Sequence, residues 1–359
     1  MSIDKLEKAK EWLADRPSEA LRLLPPAGSV PALVRPERYF VAAEAWRAMG
    51  YFQKAQALYG KLAGNALKRE DPALWIEAAL GCAAGLRSVG QVRAAYEKVK
   101  GAETISRKEG LNVYAERIRL ERAMVDRASG KYARSIKTLS AMLACARRRK
   151  SLEEAAFLLW AIGGAQRFLG ALAQSERSFL LSKKAAEKAG DRIGIGYALF
   201  GLGGVTRILG RLKEAAQYYK KAGGIFRGTD DDFAKAYAFC GYANALRQLG
   251  ELREAERYYG FSHRIYSKLG DPVDLAYVDW GLGEVAKRLG RPAQALPLFK
   301  KSWDAFRKGG EDRGEILAGK SIAECLHALG KTNEAERRFA ETYRLAKKSG
   351  LHAHIEPYT

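Results

Sequence analysis

The segment from Gly314 to Ser321 has residue types and a spacing that could bind a nucleotide. Its sequence, GEILAGKS, matches the phosphate-binding pattern G-x-x-x-x-G-K-[ST]. Such a loop points backbone N–H groups at phosphates, so it must follow a strand and open a helix. No strand-like segment precedes it, and it falls within a helical pattern. We therefore interpret the match as chance and expect no nucleotide site.

The histidines and cysteines are the other candidates for chemistry. The four histidines lack metal-site spacing, apart from a weak H-x-H pair at His352 and His354. The cysteines lie more than sixty residues apart without a C-x-x-C motif, which predicts buried, reduced packing residues. The cysteines are Cys82, Cys145, Cys240 and Cys325. No Ser-His-Asp, Cys-His or paired-carboxylate arrangement stands out, so we expect a protein that is not an enzyme and holds no cofactor or metal.

The composition describes a basic, folded chain. Its 359 residues include 62 Lys and Arg against 41 Asp and Glu, a formal net charge of +21 that favours anionic partners. Acidic protein segments, nucleic acid and anionic lipid all fit that charge. The N-terminus has no apolar signal region, and the longest uncharged stretch, Ala155 to Gln166, is shorter than a membrane span. We expect a cytoplasmic protein without a membrane span.

A period of forty residues organises the chain. A glycine recurs at Gly50, Gly90, Gly130, Gly170, Gly210, Gly250, Gly290 and Gly330. Small residues stand seven before and five after each glycine, and a large apolar residue stands nine after it. These large residues are Tyr59, Val99, Leu139, Phe179, Tyr219, Tyr259, Phe299 and Phe339. Because small residues let helices approach and large ones fill the gap, each period predicts two packed helices.

Residues that end and begin helices recur in each period and support this helical hairpin. The repeat glycine ends a first helix, A, in the left-handed conformation that glycine adopts without strain. A second helix, B, tends to close on another glycine, such as Gly110 or Gly190. Asp71, Asp191 and Asp271 then stand where a helix N-cap is wanted.

The run Leu209 to Tyr219, L-G-x-x-x-E-A-x-x-Y-Y, recurs at Leu249 to Tyr259 and, weakened, at Leu329 to Phe339. It resembles the tetratricopeptide repeat in its forty-residue form, as in Pins-type adaptors and kinesin light chain. The resemblance implies an all-α, right-handed superhelical α-solenoid of helical hairpins. We predict an N-terminal helical cap (1–30), eight repeats (31–70, 71–110, 111–150, 151–190, 191–230, 231–270, 271–310, 311–350) and a C-terminal tail (351–359).

The resemblance also implies that one face of helix A lines a concave groove, at positions thirteen, ten, six and three before the glycine. The last of these positions holds a cationic column of Arg47, Arg87, Arg127, Arg167, Arg207, Arg247, Lys287 and His327. Aromatic residues accompany the column in the fourth to seventh repeats, and these are Phe157, Trp160, Tyr197, Phe200, Tyr237, Tyr277 and Trp280.

A purely structural interpretation of this face stays open. Arg47, Lys287 and Arg247 have acidic residues three or four positions away, in Glu44, Glu284 and Glu251, whereas four other arginines have none on their own helix. The aromatic residues could equally pack one repeat on the next. Of the asparagines that hold a peptide backbone in Pins-type relatives, only Asn244 is kept.

We therefore predict a non-enzymatic adaptor or scaffold that binds an extended acidic or acidic-aromatic peptide in this groove. The predicted contact residues are Arg87, Arg127, Arg167, Arg207, Arg247, Lys287, Phe157, Trp160, Tyr197, Phe200, Tyr237, Asn244, Tyr277 and Trp280. The alternative is a protein that binds RNA or another single-stranded nucleic acid through the same groove, aided by the basic run Arg147 to Lys150. A third hypothesis is a scaffold that self-assembles through its ends.

Overall fold

The computed structural model describes residues 2–350, and the predicted tail (351–359), with His352 and His354, lies outside the described residues. Within residues 2–350 the regular structure is entirely helical: nineteen α-helices and two short 3-10 segments, without a strand. The all-α hairpin architecture expected from the sequence is confirmed. No helix in the described part of the chain is long and apolar enough to cross a membrane.

The α-helices follow the forty-residue period. In chain order they are α1 (Ser2–Trp12), α2 (Pro17–Leu23), α3 (Arg35–Ala48), α4 (Phe52–Leu62), α5 (Asn65–Glu70), α6 (Pro72–Ser88), α7 (Val92–Lys108), α8 (Ala115–Ala128), α9 (Tyr132–Arg148), α10 (Leu152–Phe168), α11 (Leu172–Ala189), α12 (Arg192–Ile208), α13 (Leu212–Phe226), α14 (Asp232–Leu249), α15 (Leu252–Leu269), α16 (Pro272–Arg288), α17 (Pro292–Gly309), α18 (Asp312–Ala328) and α19 (Thr332–Lys348). Helix A of the eight repeats is α3, α6, α8, α10, α12, α14, α16 and α18. The segment GEILAGKS lies inside α18, so the match to a phosphate-binding loop was indeed chance.

Helices end and begin where the repeat glycines and the N-cap aspartates predict. The eight repeat glycines all have φ between 73° and 87°, the left-handed region that a side chain disfavours. The carboxylates of Asp71, Asp191 and Asp271 accept hydrogen bonds from backbone N–H groups in the first turn of the helix that follows each. The cysteines are free thiols as expected, but only Cys82 and Cys325 are buried, whereas Cys145 and Cys240 are partly exposed.

The backbone divides into two compact units. Unit 1 comprises Met1–Gly201 and Ile225–Ala234, and unit 2 comprises Leu202–Gly224 and Lys235–Thr359. In unit 1 the large residues Tyr59 and Val99 lie in the core that joins the first three repeats. In unit 2 Phe299 and Phe306 of α17 lie in a core with residues of α16 and α18.

A ring on helix B packs under a glycine of the next helix A. A Cβ added to Gly281 would lie 2.4 Å from the ring of Tyr259, and one added to Gly241 would lie 2.2 Å from Tyr219. In unit 1 the pair Gly201 and Phe179 has the same geometry, at 2.4 Å. This small residue stands nine positions before the repeat glycine, a column that the sequence analysis did not single out. It sets how closely consecutive repeats approach.

Replacing Gly281 with alanine should destabilise the protein, because the added methyl has no space beside Tyr259. Overpacking of this kind costs about 1–3 kcal/mol, partly offset by the better helix propensity of alanine, about 1 kcal/mol. Gly260 is the matched control, since it lies inside α15 with nothing within 4 Å of an added Cβ. Gly260→Ala should instead raise the free energy of unfolding by about 0.5–1 kcal/mol. Urea unfolding followed by circular dichroism distinguishes the two variants, and shifts of the same sign would contradict this packing account.

Candidate peptide-binding surface

The cationic column begins in unit 1 with Arg47, which pairs with Glu44 as the sequence suggested. Arg47 Nε donates to Glu44 Oε1 at 3.3 Å, and the hydroxyl of Tyr59 donates to the same carboxylate. Burial would raise the pKa of Glu44, but the charge of Arg47 and these hydrogen bonds hold that pKa below its ordinary value. This end of the column is therefore neutralised from within its own repeat.

Arg87 pairs with an acidic residue of the following repeat. Its Nε lies 2.9 Å from Glu121 Oε1 in α8, and the two side chains are only 17% and 13% exposed. In the opposite direction Arg117 in α8 pairs with Glu77 in α6. Spacing along a single helix reveals neither pair, because their members are 34 and 40 residues apart in the chain.

Arg127 and Arg167 contact aromatic rings. The Arg127 guanidinium carbon lies 5.0 Å from the centre of the Trp160 ring, within the range of a cation–π interaction. Gly164 leaves room for this guanidinium, because a Cβ there would lie 2.5 Å from Arg127 Nη1. The Arg167 guanidinium lies 5.0 Å from the ring of Phe168. Both arginines are half-buried, so each keeps part of its surface exposed to solvent.

The aromatic residues of unit 1 form a continuous cluster that packs α10 against α12. Trp160 and Tyr197 meet edge to face with ring centres 5.5 Å apart, and Tyr197 and Phe200 do so at 4.9 Å. Phe200 is 8% exposed, whereas Phe157, 5.7 Å from Trp160, is 41% exposed. Packing between repeats thus accounts for most of the cluster, and Phe157 presents the most accessible ring.

Three consecutive aspartates at the start of α14 form hydrogen bonds to other residues of unit 1. The backbone N–H of Ser18 donates to Asp230 at 3.1 Å, and the hydroxyls of Tyr51 and Tyr197 donate to Asp232 and Asp231. Burial and the negative charge of Asp232 raise the pKa of Tyr51 to about 12.

The residue after these aspartates, Phe233, adds an apolar contact. Its ring lies 5.4 Å from that of Phe52, edge to face, and its Cβ occupies the space that a side chain at Gly50 would need. We call Asp230 to Phe233 the acidic-aromatic segment. This segment was not predicted from the sequence, where its signal is three successive acidic residues in a basic chain.

In unit 2 Arg247 is a core residue, with 1% of its side chain exposed. Its Nε donates to the Tyr259 hydroxyl at 3.2 Å, and its guanidinium lies 5.1 Å from the Trp280 ring. The carboxylate near it is that of Glu284, at 3.9 Å, and not the Glu251 suggested by the sequence. In this packing Arg247 does not reach a ligand.

Asn244 and Lys287 are also engaged within unit 2. Asn244 Oδ1 accepts a hydrogen bond from the Tyr259 hydroxyl at 2.7 Å, and its amide nitrogen lies 3.6 Å from Cys240 Sγ. Lys287 pairs with Glu284 at 2.8 Å, as expected, and also with Glu324 of the next repeat. Contact of Asn244 with a peptide backbone would require these bonds to change.

Other predicted contact residues of unit 2 are held in the same manner. The Trp280 indole nitrogen donates to Ser321 at 3.1 Å and the Tyr277 hydroxyl donates to Glu311 at 2.8 Å. Tyr237 is half-buried on α14. Arg207 differs, because its Nε is buried without a hydrogen-bond partner among the described residues.

Residues 232–308 and 274–348 match the family model of the tetratricopeptide repeat. These residues are tetratricopeptide repeats. The resemblance read from the sequence is thereby confirmed, while the forty-residue subtype stays a prediction. A search of curated proteins found no match.

Solved structures show a similar fold over nearly the whole chain. A Rap protein complexed with competence and sporulation factor superposes with a TM-score of 0.70, at 13% identity, over 97% of this chain and 98% of the other. Aspartyl phosphate phosphatase F from Bacillus subtilis superposes with a TM-score of 0.58, at 11% identity, over 95% and 93%. At these identities the likeness concerns the fold alone.

The tetratricopeptide repeats of unit 2 also contain an acidic group, Asp274, in the first turn of α16. Burial and the nearby charge of Asp271 raise the pKa of Asp274 to about 8, although a hydrogen bond from Tyr266 acts in the opposite direction. The thiol of Cys240 lies near it, and burial followed by the charge of Asp274 raises the pKa of that thiol to about 12. Both groups are therefore expected to be uncharged at neutral pH.

Replacing Asp274 with asparagine should make the free energy of unfolding depend less on pH. The folded chain keeps a proton on Asp274 up to about pH 8, whereas an unfolded aspartate loses it near 3.8. The folded state then binds more protons between these values, so the free energy of unfolding falls as the pH rises through this window. Asp274→Asn removes that fall and should stabilise the protein at pH 8 by about 1–3 kcal/mol.

Asp304→Asn is the control for this prediction, because it makes the same substitution at an exposed position in unit 2. Denaturant unfolding at a series of pH values measures the effect. Parallel pH curves for wild type and Asp274→Asn would show that the carboxyl of Asp274 is charged in the folded protein.

Proposed function

We propose that this chain is a non-enzymatic adaptor that binds an extended acidic or acidic-aromatic segment of a partner protein on the helix A face of unit 1. The observation that carries the proposal is the acidic-aromatic segment of the chain itself, which is part of unit 1. Its three carboxylates accept hydrogen bonds from Ser18, Tyr51 and Tyr197, and its ring packs against Phe52. The fold of unit 1 thus already holds one segment of the proposed chemistry, through hydroxyl and backbone donors rather than through arginines.

Arg127, Arg167 and Phe157 form the centre of the proposed surface, because they combine charge or an aromatic ring with partial exposure. Guanidinium groups bind carboxylates through charge-assisted hydrogen bonds. Arg87 belongs to the surface only where a ligand displaces Glu121. Arg247 is excluded by its burial.

The spacing of the repeats fits an extended ligand. Packed helices lie about 8–10 Å apart, and an extended peptide advances about 3.3 Å per residue. Arg127 and Arg167 stand at equivalent positions of consecutive repeats, so they would meet carboxylates about three residues apart. The net charge of +21 favours the approach of such a segment.

The comparisons support a binding role without naming the ligand. The Rap protein of similar fold was solved in complex with competence and sporulation factor. Another protein of this fold is named an aspartyl phosphate phosphatase. The fold therefore accommodates both roles, and the non-enzymatic part of the proposal is checked by assaying hydrolysis of an aspartyl phosphate.

Binding to a labelled peptide with glutamate at every third residue and phenylalanine between the glutamates tests the proposal. The double variant Arg127→Gln/Arg167→Gln should weaken binding at least about tenfold, since each charged hydrogen bond contributes about 1.5–3 kcal/mol. Fluorescence anisotropy measures the dissociation constant.

The control is Lys184→Gln/Lys188→Gln, which removes the same charge from exposed positions on α11. This variant should bind the peptide within about twofold of wild type. Equal losses in both variants would mean that the peptide responds only to net charge, and the proposed surface would be wrong. A peptide with glutamine in place of glutamate should bind poorly to every variant.

Nucleic acid is the second candidate, and the basic run Arg147 to Lys150 was its main additional support. Arg149 in that run pairs with Glu116 and Glu154, which lowers its availability to phosphates. Labelled oligouridylate serves as the probe in a salt titration. Binding through six or more phosphates should weaken steeply with salt, with a slope of about −0.7 per phosphate on logarithmic axes. Tighter binding of oligouridylate than of the acidic peptide at physiological salt would replace the peptide proposal.

A further inference from the structure

The last hairpin, α18 and α19, exposes a residue that every other repeat buries. Phe339 stands nine residues after the repeat glycine and is 55% exposed. Its seven equivalents are at most 3% exposed, and these are Tyr59, Val99, Leu139, Phe179, Tyr219, Tyr259 and Phe299. The rings of Tyr59, Phe179, Tyr219 and Tyr259 are each covered by a glycine of the following helix A. Phe339 therefore lies on a face that is built to be covered by a helix.

Tyr343 extends this apolar face along α19 and is 58% exposed. Together with Phe339, Ala340 and Ala323 of α18 it lines a groove of about 550 Å³. Contiguous apolar patches exposed to solvent are characteristic of interaction surfaces.

The exposed face of α19 is self-complementary. Glu336, Ala340, Tyr343 and Lys347 are spaced by four, three and four residues, so they form one stripe along the helix, and all four are exposed. When two copies of α19 lie antiparallel with a two-fold axis between positions 340 and 343, Ala340 of one copy faces Tyr343 of the other. Glu336 faces Lys347 in the same arrangement. Ala340 then packs against Tyr343 on both sides of the two-fold axis, and Glu336 pairs with Lys347 at each end of the helix pair.

We propose that this face is a homodimer interface in which α19 of one chain packs antiparallel against α19 of a second copy. A two-fold interface requires one patch that fits itself, and the stripe on α19 meets that requirement. Unlike the binding of an acidic ligand, this contact is opposed by the net charge of +21 on each copy. Added salt screens that repulsion, so dimerisation should strengthen with salt.

The oligomeric state over a concentration series tests the interface. Sedimentation velocity should show wild type shifting from monomer to dimer with concentration, and Phe339→Ser/Tyr343→Ser should remain monomeric. Leu180→Ser/Leu181→Ser is the matched control, because it removes two exposed apolar side chains from another helix B. That control should dimerise like wild type.

Charge reversal tests the antiparallel register. Glu336→Lys places two lysines opposite each other at both ends of the dimer, and Lys347→Glu places two glutamates there. Each single variant should weaken dimerisation about tenfold, whereas an equimolar mixture should form a heterodimer with affinity close to wild type, because both ion pairs are restored, one of them with its charges exchanged. Failure of the mixture to recover would overturn this register.

Two other results would overturn the dimer itself. One is a wild-type chain that remains monomeric at all concentrations and salt levels. The other is a lower thermal midpoint of the monomer on Phe339→Ser/Tyr343→Ser, since the face would then be covered by residues of its own chain. These outcomes do not depend on the acidic peptide, so the dimer and the proposed function fail separately.

Discussion

The packing of one large ring beneath a small residue of the next helix A is the contact on which the architecture depends. It recurs in both units, as Phe179 beneath Gly201 and as Tyr259 beneath Gly281. Because each ring touches the neighbouring repeat, the contact fixes the distance between successive A helices. That distance in turn decides which side chains of adjacent repeats can meet on the shared face.

Side chains on that face are engaged chiefly with one another. Ion pairs such as Arg87 with Glu121 and Lys287 with Glu324 join successive repeats, and Arg127 lies over the ring of Trp160. Such pairs remove repulsion between cations stacked in a column and orient the arginines that remain accessible. These residues therefore hold successive repeats together, and a ligand can contact only the part of their surface that remains exposed.

The sequence predicts the fold well because its evidence is periodic. The glycines, the N-cap aspartates and the large residues of helix B repeat in register, and each has a local physical reason. The partners on the functional face have no such signature. Arg87 and Glu121 are 34 residues apart and Tyr51 and Asp232 are 181 apart, so only the packed repeats bring them together. The sequence therefore predicts which positions of this face carry a cationic side chain, but not which of these side chains a ligand can reach.

Contacts of the acidic-aromatic segment change how unit 1 should fold. In a linear array each repeat touches only its neighbours, so the ends can unfold without disturbing the middle. The hydrogen bonds from Ser18 to Asp230 and from Tyr51 to Asp232 span 212 and 181 residues and add a contact beyond nearest neighbours. Fraying of the first repeat would break them, and they cannot form until the intervening hairpins are in place. Unit 1 should accordingly unfold as one cooperative block, more like a globular domain than a string of independent modules.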